Sequence, residues 1–125
     1  MKLFNDEIVK LLNGYFAKGE EYVESILLAS YGFNIQFVNF RVQCNERVFT
    51  SIGGNEYEWD DAPNSAPWGA LGRQLAKKAV LKSPNLLTII FESGDSIDIE
   101  TKENQYESVI FDFPPEGDTF VMEIF

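Results

Sequence analysis

The chain has 125 residues, of which 45% are hydrophobic, and its 20 acidic and 10 basic side chains give a net charge of −10. This length and composition suit a single domain, residues 1–125, with its own hydrophobic core. The acidic excess disfavours binding to the phosphate backbone of nucleic acids and favours basic protein partners.

The composition also excludes several kinds of catalytic site. There is no histidine, so Ser-His-Asp catalysis, Cys-His catalysis and His-ligated zinc are excluded. The single cysteine, Cys44, cannot form an internal disulfide or a thiolate metal cluster within one chain. Its apolar setting predicts an inert core residue. We therefore expect no cofactor.

The first predicted element is an amphipathic helix over residues 6–18. Asn5 or Asp6 can cap its start, and Gly19 can end it. Its apolar residues recur at helical spacing and are Phe4, Ile8, Leu11, Leu12, Tyr15 and Phe16. Residues 1–7 lack the features of a signal peptide, and no apolar run reaches the roughly 18 residues of a membrane span. We expect a cytoplasmic protein that does not bind a membrane.

Alternating apolar residues predict strands in both halves of the chain. In the first half the predicted strands are 22–30, 33–37, 40–44 and 47–52, with a tight turn or bulge near Val38-Asn39. Gly53-Gly54-Asn55 closes the last of these strands. In the second half a short helix over 68–75, weakened by Gly69 and Gly72, precedes strands at 77–82, 86–91 and 97–100.

The two hairpins of the second half can be given a register. An odd loop centred on Gly94 pairs Phe91 with Ile97 and Ile89 with Ile99, which keeps apolar residues on one face. This register puts Glu92, Asp98 and Glu100 together on the outer face. In the final hairpin, pairing Phe113 with Phe120 also pairs Phe111 with Met122 and Val109 with Ile124.

These elements predict an α+β fold of mostly antiparallel β-meanders, with an N-terminal amphipathic helix and a short second helix. A weak duplication is visible, because segments 34–37 and 55–59 correspond to segments 86–91 and 105–108. The spacings of the two sets differ by several residues, so the alternatives are a chance match and a true repeat, which implies two related α/β-meander halves around one core.

Carboxylates are plentiful, with 20 acidic side chains, so two kinds of acid-based site have to be weighed. The pair Asp60-Asp61 or the group Asp95, Asp98 and Glu100 could hold Mg²⁺ or Ca²⁺, but neither has the spacing of a dedicated calcium loop, and surface acids without metal are favoured. Glu100-Thr-Lys102 matches half of the motif of a metal-dependent nuclease, in which the glutamate binds the metal and the lysine stabilises transition-state charge. A small metal-dependent hydrolase using Glu100 and Lys102 is the enzymatic alternative.

The segment 56–61 is the main candidate for a binding surface. In an extended strand Glu56, Glu58 and Asp60 share one side, and Tyr57, Trp59 and Asp61 share the other. Carboxylates beside aromatic anchors suit recognition of a basic protein patch. The alternative is that Tyr57 and Trp59 point into the core and the acids only face water. The outer-face acids Glu92, Asp98 and Glu100 complete the candidate partner-binding residues.

Several short motifs carry a family resemblance. The segments concerned are Leu-Gly-Arg-Gln at 71–74, Leu-Thr-Ile-Ile-Phe at 87–91, Ser-Gly-Asp at 93–95, Ile-Asp-Ile at 97–99 and Tyr-Glu-Ser at 106–108. With them the chain resembles small bacterial immunity proteins of contact-dependent growth inhibition and other polymorphic toxin systems. The resemblance covers about 55 residues of the second half, and in the first half only the Tyr-Glu-Trp segment.

This resemblance implies a non-enzymatic protein that binds the C-terminal domain of a cognate toxin and blocks its active site or substrate surface. Such toxins are often nucleases with basic clefts, which fits the net charge of −10. The alternatives are the hydrolase described above and a generic protein-interaction module whose partner is not a toxin.

Overall fold

The structure, a computed structural model, describes residues 3–29, 32–59, 68–102, 108–116 and 119–125. In chain order these residues form α1 (Asp6–Phe16), β1 (Val23–Ala29), β2 (Gly32–Phe37), β3 (Arg41–Cys44), β4 (Val48–Ile52), β5 (Asn55–Trp59), a 3₁₀ turn (Trp68–Leu71), β6 (Ala76–Ser83), β7 (Leu86–Phe91), β8 (Ser96–Glu100), β9 (Val109–Glu116) and β10 (Thr119–Ile124). Among them, no helix is long and apolar enough to cross a membrane.

The strands form two antiparallel sheets of five strands each. One sheet, called here sheet A, has the order β1-β2-β3-β9-β10, and the other, sheet B, has the order β5-β4-β8-β7-β6. With one helix beside them, the two sheets confirm the prediction of an α+β fold built mostly from antiparallel strands.

The inner faces of both sheets meet in one hydrophobic core. Phe37 of sheet A lies 6.5 Å, between ring centroids, from Phe91 of sheet B, and Phe33 lies 6.0 Å from Trp59. Phe37 and Trp59 are fully buried. Because alternate residues of each strand point inwards, strands with two-residue periodicity supply this core from both sides.

Helix α1 covers one side of this core. The side chain of Asn5 accepts a hydrogen bond from the N–H of Ile8 and caps the start, as predicted, and Phe16 packs on Phe37 and Phe40. The amide of Asn13 both accepts from the N–H of Ala79 (2.7 Å) and donates to its C=O (3.0 Å). These two bonds pair the backbone groups of Ala79 on the outer edge of β6.

The two halves of the chain have the same strand topology. Each half supplies three consecutive strands to one sheet and a hairpin to the other: β1-β2-β3 and the hairpin β9-β10 form sheet A, and β6-β7-β8 and the hairpin β4-β5 form sheet B. The counterparts of β1 to β5 are β6 to β10, in the same order. When each strand is exchanged for its counterpart, the order of sheet A becomes the order of sheet B. The halves therefore exchange their C-terminal hairpins.

The register repeats as well. Val23 pairs with Phe37 and the pairing then shifts, just as Ala76 pairs with Phe91 before an equivalent shift. Similarly, the pair Cys44–Val109 in sheet A corresponds to the pair Ile99–Val48 in sheet B. Segments 34–37 and 86–91, which correspond in sequence, therefore belong to the equivalent strands β2 and β7. By topology the counterpart of β5 is β10, whereas residues 105–107 of the predicted match lie outside the described residues.

Where the halves meet, two polar side chains each fasten a chain segment to a turn. The buried carboxylate of Glu21, before β1, accepts hydrogen bonds from the backbone N–H (2.8 Å) and side-chain amide (2.7 Å) of Asn39 in the β2–β3 turn. The amide of Gln74, before β6, donates to Asp95 (2.8 Å) and accepts from Ser93 (2.6 Å) in the β7–β8 turn. Between these residues, Tyr22 and Leu75 form an antiparallel bridge.

The predicted second helix over 68–75 is wrong in length and type, because only Trp68–Leu71 form a 3₁₀ turn. Arg73 has a φ of 67°, in the left-handed region that a helix does not use. Its N–H bonds to the C=O of Val23, and the N–H of Ala76 bonds to the C=O of Glu21. The backbone that would have continued a helix is used to join the two halves.

Both predicted hairpin registers are also wrong. In the β7–β8 hairpin Ile89 pairs with Ile97 and Leu87 with Ile99, a shift of two residues that leaves every side chain on its predicted face. The turn is centred on Ser93 and not on Gly94, since the N–H of Phe91 bonds to the C=O of Asp95, whose carboxylate is held by Gln74.

In the β9–β10 hairpin the shift is one residue. Phe113 pairs with Val121 and Phe111 with Glu123, after an irregularity between Thr119 and Val121. The backbone of Phe125 pairs with Val109, and its side chain is buried. Phe125 therefore belongs to the core face.

Candidate functional site

The hairpin β4-β5 places the predicted binding segment at an edge of sheet B. Its turn is the pair Gly53-Gly54, with φ angles of 59° and 83°. Two successive residues with positive φ form the tight turn that matches the twist of a β-hairpin, and glycine adopts it without steric cost. The following strand, β5, is the terminal strand of the sheet, and among the strands that the structure describes it pairs only with β4.

β5 is anchored at one end and exposed along the rest. Trp59 is fully buried and packs against Phe33, whereas all four residues from Asn55 to Glu58 are exposed. Tyr57, on the same side of the strand as Trp59, keeps 36% of its surface exposed. Trp59 therefore belongs to the core, which was the alternative prediction for this residue. Tyr57, Glu56 and Glu58 are accessible to a partner.

The outer face of sheet B carries Glu58, Phe49 and Asp98 in one row across three strands. The guanidinium of Arg47 lies 5.3 Å from the centre of the Phe49 ring and reaches two carboxylates, Glu58 at 3.5 Å and Glu100 at 3.2 Å. The hydrogen bond that Arg47 donates to the carboxylate of Glu100 is the main reason that the pKa of Arg47 lies above its ordinary value. Glu58 and Arg47 are both largely exposed, so their ion pair is weak and exchangeable.

The other predicted acids differ in how accessible they are. Glu100 is buried against Arg47, and Asp98, which is half-buried, accepts from Thr88 (2.5 Å) and pairs with Lys82 (2.9 Å). Glu92 is exposed, but it lies in the β7–β8 turn, beyond the last strand pair. The three are therefore not one open cluster. Asp60 and Asp61 lie outside the described residues.

A shallow groove of ≈ 260 Å³ runs across the outer face of sheet B beside Glu56. Phe49 and Leu86 give it apolar surface, and Asp98 and Lys82 lie on the side away from β5. An aliphatic side chain with a charged end, such as lysine or arginine, could pack its methylene groups on this floor and keep its charge near Glu56.

The residues of the enzymatic alternative have separate partners. Glu100 is held by Arg47, and Lys102 pairs with Glu46 at 3.5 Å. Within the described residues, no group of three or more acidic or cysteine side chains is arranged to hold a metal ion. The hydrogen bonds from Gln74 and from the N–H of Gly53 lower the pKa of Asp95, whose carboxylate joins two turns.

Cys44 lies in the core, where its thiol donates a hydrogen bond to the C=O of Glu100 at 3.4 Å. Burial raises the pKa of this thiol to about 12, so the reactive thiolate is scarce at neutral pH. We expect Cys44 to react with a disulfide reagent at pH 8 only after unfolding, measured as release of the chromophore with and without denaturant. Rapid stoichiometric labelling of the folded protein would contradict this expectation.

Two features of this site were not visible in the sequence. That β5 is a sheet edge depends on the strand order, and the ion pairs of Asp98 and Glu100 depend on contacts distant in sequence. The glycine pair before β5 was the one local signal of a hairpin. Comparison of the chain with protein-family models, with curated proteins and with solved structures finds no match in any of the three.

Proposed function

We propose that this chain is an immunity protein that binds the basic C-terminal domain of a cognate toxin and blocks its active site or substrate surface. The toxin would be a nuclease, because a cleft that binds nucleic acid is basic, and the complex would form in the cytoplasm. In this proposal the chain performs no reaction and needs no cofactor. It neutralises its partner by occupying a surface that the partner requires.

One observation carries the proposal: Glu56, Tyr57 and Glu58 are presented together on an exposed strand whose position is fixed by the buried Trp59. Carboxylates at such a surface attract a basic partner at long range, in keeping with the net charge of −10. A tyrosine offers a large contact area at small entropic cost and is frequent at binding hot spots.

The repeated topology gives independent support. We infer that the two halves derive from one duplicated unit, in which β5 and β10 are counterparts. At the position of Glu58, whose cross-strand neighbour is Phe49, the other half has Ile124, paired with Ile110. The fold therefore accepts an apolar residue at this position, and the acid of β5 is available to serve a partner.

The test is co-purification of this chain with the protein encoded immediately upstream, followed by titration calorimetry. We expect the double variant Glu56→Lys, Glu58→Lys to weaken the complex by about tenfold or more at low salt, because two attractive charges become repulsive. The loss should shrink as salt is added, since screening reduces interactions between exposed charges.

A matched control is the double variant Glu20→Lys, Glu24→Lys, which makes the same change in net charge at two other exposed positions. It should change the affinity far less than the β5 variant. No association with the neighbouring protein, or no inhibition of its toxic activity, would contradict the proposed function. Equal losses in the two double variants would contradict the role of β5.

A further inference from the structure

The direction of each backbone group in β5 follows from the turn before it. In a tight two-residue turn, the N–H of Asn55 bonds to the C=O of Ile52. Antiparallel pairs then alternate between bonded and non-bonded, so Thr50–Tyr57 and Val48–Trp59 are bonded pairs, while Ser51–Glu56 and Phe49–Glu58 are not. The N–H and C=O groups of Glu56 and Glu58 therefore point away from β4, towards the edge of sheet B that no strand of the described residues covers.

At this edge, side chain and backbone of the same two residues are available together. The carboxylates of Glu56 and Glu58 share the outer face, and their backbone groups form the edge itself. An extended segment placed antiparallel to β5 would bond to those backbone groups. Its side chains directly opposite the two acids would lie about 5 Å away between Cβ atoms, within reach of an ion pair.

We propose that β5 is extended by a strand of the partner protein, which carries lysine or arginine at alternating positions opposite Glu56 and Glu58. This inference rests on the proposed function and specifies how the partner is held. The residue between the two bases would face the other way and meet the exposed surface of Tyr57. The partner segment is therefore basic, apolar and basic in sequence.

The charges also determine what does not bind here. If a second copy of this chain paired antiparallel through its own β5, glutamates would oppose glutamates, and like charges directly opposite destabilise a pair of strands. Acidic side chains on an edge strand protect it from such pairing. The same two carboxylates attract a basic strand, because opposite charges directly across from each other stabilise a pair of strands. At Glu58 the incoming base would replace Arg47, whose exposed ion pair is weak.

The experiment separates the backbone from the charge. Glu58→Pro removes one outward N–H and no bond to β4, and proline is tolerated on an edge strand, whereas Glu58→Gln removes only the charge. The probe is the blocked peptide Lys-Val-Lys-Val-Lys-Val, titrated into the protein by NMR. We expect Glu58→Pro to weaken peptide binding by about tenfold and Glu58→Gln by about threefold.

Amide hydrogen exchange gives a second measurement. In the free protein the N–H of Tyr57 should already exchange slowly, and those of Glu56 and Glu58 should exchange quickly. On peptide binding the two glutamate amides should become protected. A melting temperature close to that of the parent chain shows that Glu58→Pro remains folded, and the exchange result on the parent chain does not depend on that variant.

Unprotected Glu56 and Glu58 amides at peptide saturation would overturn the proposed strand addition, and so would equal peptide affinities of the proline and glutamine variants. A peptide with glutamate in place of lysine should not protect these amides, and equal protection by it would overturn the charge requirement. Failure of the neighbouring protein to bind is a separate result, which counts against the immunity function and not against the edge of β5.

Discussion

Replacing Phe37 with alanine should lower the free energy of unfolding by about 3–5 kcal/mol, the loss typical of a deleted core aromatic ring. Phe37 is fully buried at the point where three layers meet. Its ring contacts Phe16 of α1, Phe40 after the β2–β3 turn and Phe91 of sheet B. Its removal leaves a cavity that none of these elements can fill without moving the other two. Urea unfolding followed by circular dichroism measures the loss.

The control for this variant is Leu27→Ala on sheet A. Leu27 keeps 59% of its surface exposed, so its truncation should change the unfolding free energy by less than about 0.5 kcal/mol. A loss below about 1 kcal/mol for Phe37→Ala would mean that the contact between the two sheets does not hold the fold together. Each sheet would then be stabilised mainly by contacts on its own side of the core.

Replacing Glu21 with glutamine should cost about 1–3 kcal/mol although the two side chains have nearly the same shape. Both carboxylate oxygens of Glu21 accept hydrogen bonds, one from the N–H and one from the amide of Asn39. A glutamine has only one acceptor oxygen, so its own NH₂ group must face a donor of Asn39. Because Glu21 is fully buried, water cannot replace the lost bond.

The comparison for this prediction is Glu24→Gln, which makes the same chemical change at an exposed position in β1. Thermal and urea unfolding of both variants should show a loss for residue 21 and almost none for residue 24. Equal stabilities of the two variants would contradict the role given to the Glu21–Asn39 contact. A crystal structure of Glu21→Gln should also show displacement of the β2–β3 turn, since its backbone N–H is one of the two donors.

The parts of the fold that were predicted correctly are those determined by near neighbours in sequence. Helix α1 is marked by apolar spacing and by the cap at Asn5, and β2 and β7 by alternation of buried residues. The same two-residue period places Glu56 and Glu58 on one side of β5, although all four residues from Asn55 to Glu58 are exposed. Each of these signals lies within a few residues of the structure that it predicts.

The errors occurred where distant residues decide the outcome. The β7–β8 turn is centred on Ser93, one residue earlier than predicted, where Gln74 bonds to both Ser93 and Asp95. The helix predicted over 68–75 is prevented by backbone bonds from Arg73 to Val23, the first residue of β1, and from Ala76 to Glu21 just before it. In the same way the accessibility of Asp98 and Glu100 depends on Lys82 and Arg47, which belong to other strands. Local patterns do not contain these partners.

The exchange of hairpins between the halves has a consequence for how the molecule folds and unfolds. Sheet B is built from the consecutive strands β4 to β8, whereas sheet A joins β1-β2-β3 to β9 and β10 at the end of the chain. Sheet A, and the core that it shares with sheet B, therefore cannot be completed until almost the whole chain is present. The pair Arg41–Asp112, for example, joins residues 71 positions apart. Such long loop closures slow folding. Denaturation should accordingly be one cooperative transition, in which slow-exchanging amides of both sheets open with the same free energy.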